Sequence, residues 1–225
     1  MTTIPVTILD NFFDNPDTIR DWALSLEYKP DPEGRWPGVR TTDLKNIHYP
    51  FYNYVYRKIF KLFFSNYVTD YTCDLSFQLV EDYEDTGWIH QDSSLFTVII
   101  YLFKENNINC GTSLYNLSPN KIHPFNHSND IELYEKRLNI SKNLKYSPDI
   151  IKNKKEYESS TFEKILDIKD RYNRLICFPS EQFHAANYLT NGTSNSRLTI
   201  IGFVDSISLN NETYPVIRSK QSSMR

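Results

Sequence analysis

Eight residues, Phe96 to Phe103, form a run that is apolar except for Thr97, and a second largely apolar run, Leu198 to Val204, lies a hundred positions further on. A run of this length reads as a strand buried on both faces. The chain must therefore build a β-core with cover on either side. Directly before the first run stands Gly87-Trp88-Ile89-His90-Gln91-Asp92. Side chains of extended backbone alternate between faces, so His90 and Asp92 point the same way and can grip one ion together. An imidazole and a carboxylate are two thirds of the two-His, one-carboxylate triad that holds non-heme iron(II) and leaves open positions beside it. A further imidazole, His184, follows the strand-like Leu175-Ile176-Cys177-Phe178-Pro179. Arg197 then opens the second apolar run.

This ordered series resembles the 2-oxoglutarate/iron(II)-dependent dioxygenase superfamily, and within it the prolyl-hydroxylase-like branch with its uncharacterised bacterial and phage members. The residues that carry the resemblance are His90, Asp92, Tyr101, Cys110-Gly111-Thr112, Asn173-Arg174-Leu175, His184, and Arg197 with Thr199. The match spans Cys73 to Val204, interrupted by a long polar segment. The resemblance implies iron(II) on His90, Asp92 and His184, and 2-oxoglutarate as co-substrate. It further implies that Arg197, Thr199 and Tyr101 receive the far carboxylate of that co-substrate. A buried arginine needs an anion, and its planar fork binds a carboxylate through two parallel hydrogen bonds. Cys110 stands where the family's Gly-Gly-Thr strand has its first glycine.

At 225 residues the chain fits one domain with a helical front. A net charge of -3 offers no clustered basic face for nucleic acid. Cys73, Cys110 and Cys177 show neither paired nor zinc-type spacing and read as buried thiols in a reducing compartment. The start of the chain lacks a signal-peptide pattern, and no stretch approaches the ~18 apolar residues of a membrane span. A soluble, cytoplasmic protein is expected. With 16 Tyr and 14 Phe, much of the core and pocket wall should be aromatic.

Taken in order, Val6 to Asp10 reads as a short strand, and Asn15-Pro16-Asp17 starts a helix with a capping Asn. Ile19, Trp22, Ala23 and Leu26 give that helix one apolar face. Trp36-Pro37-Gly38-Val39-Arg40 reads as a tight turn, with Arg40 bracing the loop or, alternatively, facing substrate. Tyr49 to Phe64 is a second helix with Phe51, Val55, Ile59, Leu62 and Phe63 inward. Cys73 to Tyr83 alternates as a strand. The acids Glu81, Asp82, Glu84 and Asp85 read as a solvated turn rather than as ligands. Asn116 to Arg171 is polar and rich in Lys and Asn, and reads as an insertion of short helices and loop, a possible lid at the barrel mouth. His123 and His127 within it read as surface residues. The tail beyond Asp205 is expected to run over the surface.

The expected fold is mainly β with some α: a double-stranded β-helix, the jelly-roll architecture also seen in cupins, of about eight core strands. Residues 1–72 supply a first strand and supporting helices, 73–115 and 172–205 the barrel, and 116–171 the insertion. The function implied by the resemblance is a hydroxylase-type oxygenase using iron(II), 2-oxoglutarate and O2 on an unidentified small-molecule, peptide or protein substrate, releasing succinate and CO2. A cupin-like binding module without turnover is the alternative, since one architecture hosts many functions. A metal-dependent isomerase or hydrolase using the same ligands is a third, weaker reading.

Overall fold

In the computed structural model the two apolar runs lie side by side. Strands β5 (Phe96–Tyr101) and β10 (Arg197–Leu209) pair antiparallel, with Ile100 opposite Ile200 and Tyr101 opposite Thr199. The structure describes residues 5–32, 36–64, 68–80, 87, 89–104, 110–118, 158–187 and 196–209. Around this pair a seven-stranded sheet is laid down in the order β1 (Thr7–Leu9), β8 (Arg174–Pro179), β5, β10, β4 (Val68–Val80), β3 (Val39–Arg40) and β2 (Lys29–Pro30). A three-stranded sheet of β7 (Phe162–Lys169), β6 (Gly111–Leu117) and β9 (Phe183–Ala186) forms the second layer. His90 bridges to His184 and extends this smaller sheet beyond β9. The antiparallel layers form the expected jelly-roll core.

The alternation along β5 divides the interior. Phe96, Val98 and Ile100 join Leu75, Phe77, Leu175, Cys177, Leu198 and Ile200 in the larger core, under the helices. Ile99 and Tyr101 join Ile176 and Phe178, and pack with Leu114 and Ile168 of the small sheet. Burying each such aliphatic or aromatic side chain stabilises by about 1.5–3 kcal/mol, so both faces of the central strands are held. The helix-covered face is scaffold, whereas the face bearing Ile99 and Tyr101 borders the space between the sheets.

Helices α1 (Pro16–Leu24), α2 (Leu44–Ile47) and α3 (Tyr49–Phe63) cover the outer face. Asn15 sits at the N-cap of α1, but its side chain makes no capping bond, contrary to the expectation from Asn15-Pro16. On α3, Val55, Ile59 and Phe63 are buried as the helical period predicts, while Phe51 and Leu62 are only partly covered. Their places at the centre are taken by Tyr52 and Tyr56, whose hydroxyls donate to the carbonyls of Cys73 and Asp74 on β4. Gly202 allows this approach, because a Cβ there would lie 2.5 Å from the Tyr56 hydroxyl.

Two boundaries differ from the expectation. The segment Phe162 to Lys169, placed in the polar insertion, is β7, paired along β6 from Gly111–Lys169 to Leu117–Phe162. Its pairing shifts register between Leu114 and Tyr115, which breaks the two-residue apolar period that would have revealed the strand. Ser206 to Leu209, expected in a surface tail, continues β10 along β4 after a shift at Val204/Ser206. Its polar character reflects exposure rather than loss of pairing. Residues 119–157, with His123, His127 and most of the possible lid, lie outside the described residues, as do Glu81, Asp82, Glu84, Asp85 and Trp88.

The first strand is tied to the barrel by side chains. Asn173, at φ 64°, accepts the Phe13 amide and donates to the Phe13 carbonyl, each at 2.8 Å. Arg174 grips Asp10 with a fork of 2.6 and 3.1 Å, and Arg171 adds a contact of 2.8 Å.

Candidate functional site

His184 lies in the middle of β9, between Phe183 and Ala185, and points into the space between the sheets. Its backbone exchanges hydrogen bonds of 2.9 and 3.0 Å with His90, which holds the two imidazoles side by side with ring centroids 4.3 Å apart. Asp92 follows two residues on, with its amide bonded to the Ser180 carbonyl at 2.9 Å. The His184 Nε2 lies 3.2 Å from one Asp92 oxygen and the His90 Nε2 lies 3.6 Å from the other. One donor atom from each of the three falls within 4.8 Å of the others, the spread expected of groups sharing one ion.

Neighbouring groups orient these donors. The His184 Nδ1 faces the Gln182 carbonyl at 2.8 Å; donating its proton there leaves Nε2 with a lone pair for a metal. Thr97 donates to Asp92 Oδ2 at 2.7 Å, and its hydroxyl also meets that of Ser180 at 2.8 Å. Burial raises the Asp92 carboxyl, but the hydrogen bond and charge of His184 and the charge of His90 outweigh it and hold the group below the usual carboxylate range. The site is graded in depth. The side chain of His184 is 6 % exposed, Asp92 18 % and His90 30 %, so the mouth is on the His90 side.

The strand register sets a second cluster on the same inner face. Arg197 and Thr199 are two residues apart on β10, and Thr199 stands opposite Tyr101 on β5. The guanidinium of Arg197 lies over the Tyr101 ring, 5.6 Å from its centroid, and the Tyr101 hydroxyl meets Thr112 at 2.8 Å. Burial pushes the Tyr101 phenol up to about 12 despite the opposing charge of Arg197, so it keeps its proton at neutral pH. Arg197 is only 5 % exposed, and its Nε is buried with no hydrogen-bond partner among the described residues. Thr97 and Tyr101 share one face of β5, so the His90–Asp92–His184 cluster and the buried arginine open onto one interior.

Gly111 shapes the floor of this cluster. At φ 142° it passes so close to β7 that a Cβ would stand 2.0 Å from the Ile168 carbonyl. Cys110 before it is buried, as are Cys73 and Cys177, and all three thiols are free. Arg40 lies over the Trp36 ring at 4.2 Å, which fits the loop-bracing reading.

Thr97, Ser180 and Asp170 are functional candidates that do not stand out in the linear sequence. Thr97 comes nearest to a signal, as the one hydroxyl in the apolar run Phe96 to Phe103 apart from the phenol of Tyr101, but threonine is ordinary in a strand. Asp170 carried none, lying in a charged stretch between Lys169 and Arg171.

A family model described as a family of unknown function, DUF6445, matches residues 1–204. The chain belongs to the DUF6445 family. No curated protein sequence matches this DUF6445 chain. Among solved structures it is similar to HygX from Streptomyces hygroscopicus, crystallised with nickel and 2-oxoglutarate, at 12% identity and TM-score 0.54, covering 91% of this chain and 84% of that one. It is also similar to a Pseudomonas putida prolyl-4-hydroxylase, at 11% identity and TM-score 0.44 over 89% and 91% of the two chains. A prolyl hydroxylase from Trichoplax adhaerens matches at 15% identity and TM-score 0.46 over 89% and 83%. The HygX likeness shows that this DUF6445 member shares that protein's fold, a mainly antiparallel β core of the jelly-roll kind. Among the described residues no helix is long and apolar enough to cross a membrane.

Proposed function

We propose that this protein is a 2-oxoglutarate-dependent, iron(II) oxygenase that hydroxylates a C–H bond of its substrate. The observation that carries the reading is the pairing, on one interior face, of the His90–Asp92–His184 cluster with Arg197, a buried guanidinium without a salt bridge among the described residues. A metal-binding module needs the first group and has no use for the second. The nickel and 2-oxoglutarate held by HygX on the same fold support it.

The donor set fits iron(II): two imidazoles and one carboxylate, the last ionised and oriented by Thr97. Bound there, iron(II) supplies the redox chemistry by which O2 converts 2-oxoglutarate to succinate and CO2 and the substrate C–H to C–OH. The protein's own part is positioning and exclusion of water. Arg197 would take the far carboxylate in its fork, with Thr199 and the protonated Tyr101 adding hydroxyl donors. Ile99, Ile176 and Phe178 keep the wall between the two clusters apolar. The more exposed His90 side is the route by which substrate would enter.

Anaerobic iron(II) titration of the full chain, followed by 2-oxoglutarate, tests the reading. Stoichiometric metal binding is expected, then the visible charge-transfer band of an iron-chelated 2-oxo acid, then succinate release on admitting O2. His90→Ala, Asp92→Ala and His184→Ala should each abolish most metal binding, because two donors remain. Metal binding without a 2-oxoglutarate response would move the protein to the binding-module class.

A further inference from the structure

Asp170 follows the last residue of β7 and has no part in the chemistry above. It is 8 % exposed, and both of its carboxylate oxygens are buried without a hydrogen-bond partner among the described residues. An orphaned carboxylate in the interior is costly. Only its backbone is tied down, the amide donating to the Cys110 carbonyl at 3.2 Å. This places Asp170 beside the Cys110-Gly111-Thr112 step that floors the Arg197 cluster.

The charges facing Asp170 come from three strands. Arg197 of β10 acts on it most strongly, followed by Arg174 of β8 and by Lys169 on its own element. Arg174 is committed to Asp10, and Lys169 pairs with Asp167 at 2.9 Å. Tyr101 and Cys110 sense the Asp170 charge in turn. Among the described residues Arg197 is thus the cation that remains for Asp170, yet no contact of 4.0 Å or less joins them. Two buried groups of opposite charge thus act on one another without direct contact, each with polar atoms that have no hydrogen-bond partner among the described residues.

We propose that Asp170 is a specificity-determining residue of the co-substrate pocket, which shares Arg197 with the far carboxylate of 2-oxoglutarate and takes up one proton from solvent as that carboxylate enters. The inference rests on the functional reading given above. Two carboxylates beside one guanidinium cannot both stay ionised at low cost, so one becomes an acid and donates a hydrogen bond to the other. Burial already lifts the Asp170 carboxyl to about 6 against the opposing charge of Arg197. At pH 7 it is therefore mostly ionised in the free protein and able to accept the proton. The bound state has the higher pKa, so affinity is highest at low pH and is lost as pH rises. Between the free and bound values the slope is one proton, about a tenfold fall in affinity per pH unit.

The test is calorimetric titration of 2-oxoglutarate into the manganese(II)-loaded full chain, at about pH 7.5, in two buffers of different ionisation enthalpy. The parent should take up about one proton more than Asp170→Asn, and its affinity should fall roughly tenfold from about pH 7 to 8 while that of the variant stays level. Equal proton uptake in the two proteins, or a parent affinity flat over that interval, would overturn the assignment of Asp170 and leave the oxygenase reading standing. Absence of 2-oxoglutarate binding by the metal-loaded parent would remove the functional reading and this inference together. The parent's own pH profile decides the question even if Asp170→Asn does not fold.

Discussion

Replacing Thr97 by valine removes one hydroxyl from a fully packed position and leaves the shape of the side chain almost unchanged. That hydroxyl makes two contacts, to Asp92 Oδ2 at 2.7 Å and to Ser180 at 2.8 Å. The contact with Ser180 is replaceable, since Ser180 also meets Ser94 at 2.5 Å. The contact with Asp92 is not, and its carboxylate would lose the donor that fixes it. A hydrogen bond to a charged group contributes about 1.5–3 kcal/mol, or roughly 10- to 150-fold in an equilibrium constant. Loss of an outer partner of a metal ligand typically costs about 10- to 100-fold in metal affinity. The two estimates agree, so Thr97→Val should weaken iron(II) binding by one to two orders of magnitude. Thr97→Ser, which keeps the donor, should recover most of it. The assay is anaerobic competition with a chromogenic chelator, run beside a thermal melt of the metal-free proteins. Affinity within about twofold of the parent, or a loss that Thr97→Ser shares in full, would refute the claim that this hydroxyl orients the ligand.

Arg197→Leu should weaken 2-oxoglutarate binding to the metal-loaded protein by about 30-fold to several thousand-fold, the roughly 2–5 kcal/mol of a truncated buried charge pair, and Arg197→Lys should regain only part; calorimetry measures both. Gly111→Ala should lower stability by about 1–3 kcal/mol, because alanine strains the left-handed backbone there and its Cβ would collide with the Ile168 carbonyl. A thermal midpoint unchanged from the parent would count against that geometry. The Arg174 hydrogen bond, with the charges of Arg174 and Arg171, holds the Asp10 carboxyl below its usual value despite partial burial. The folded pKa is the lower one, so the stabilisation is complete above the unfolded value near pH 4 and disappears as pH falls through the folded value. Urea midpoints of the parent should exceed those of Asp10→Asn at neutral pH and converge with them in acid.

The barrel strands were legible where burial was two-sided, as in Phe96 to Tyr101, because composition alone then marks the segment. The helical face of α3 was legible in Val55, Ile59 and Phe63, but the period favoured Phe51 and Leu62 over Tyr52 and Tyr56. Tyrosine reaches the centre only when its hydroxyl finds an acceptor, and the carbonyls of Cys73 and Asp74 are nowhere visible in a linear pattern. β7 was hidden because it is exposed almost throughout and carries an extra residue, Ile165, that interrupts its alternation. His90, Asp92 and His184 stand out because polar ligand types at the edges of apolar runs demand an explanation. Thr97 and Asp170 do not, since a threonine in a strand and an aspartate among lysines are ordinary until the fold shows what each one faces.

The triad draws its donors from different layers of the molecule. His184 is part of the small sheet, while Asp92 is anchored through Thr97 to the central strand of the large one. An ion held by both would act as a rivet between the layers, in addition to any part in chemistry. A ligand at a hundred times its dissociation constant stabilises the folded state by about 2.7 kcal/mol. Here that stabilisation would fall on the seam between the sheets, the joint that must stay closed for β9 and β5 to keep a shared interior. Loading with metal would then tighten the barrel as a whole, and the metal-free chain would be the looser of the two forms.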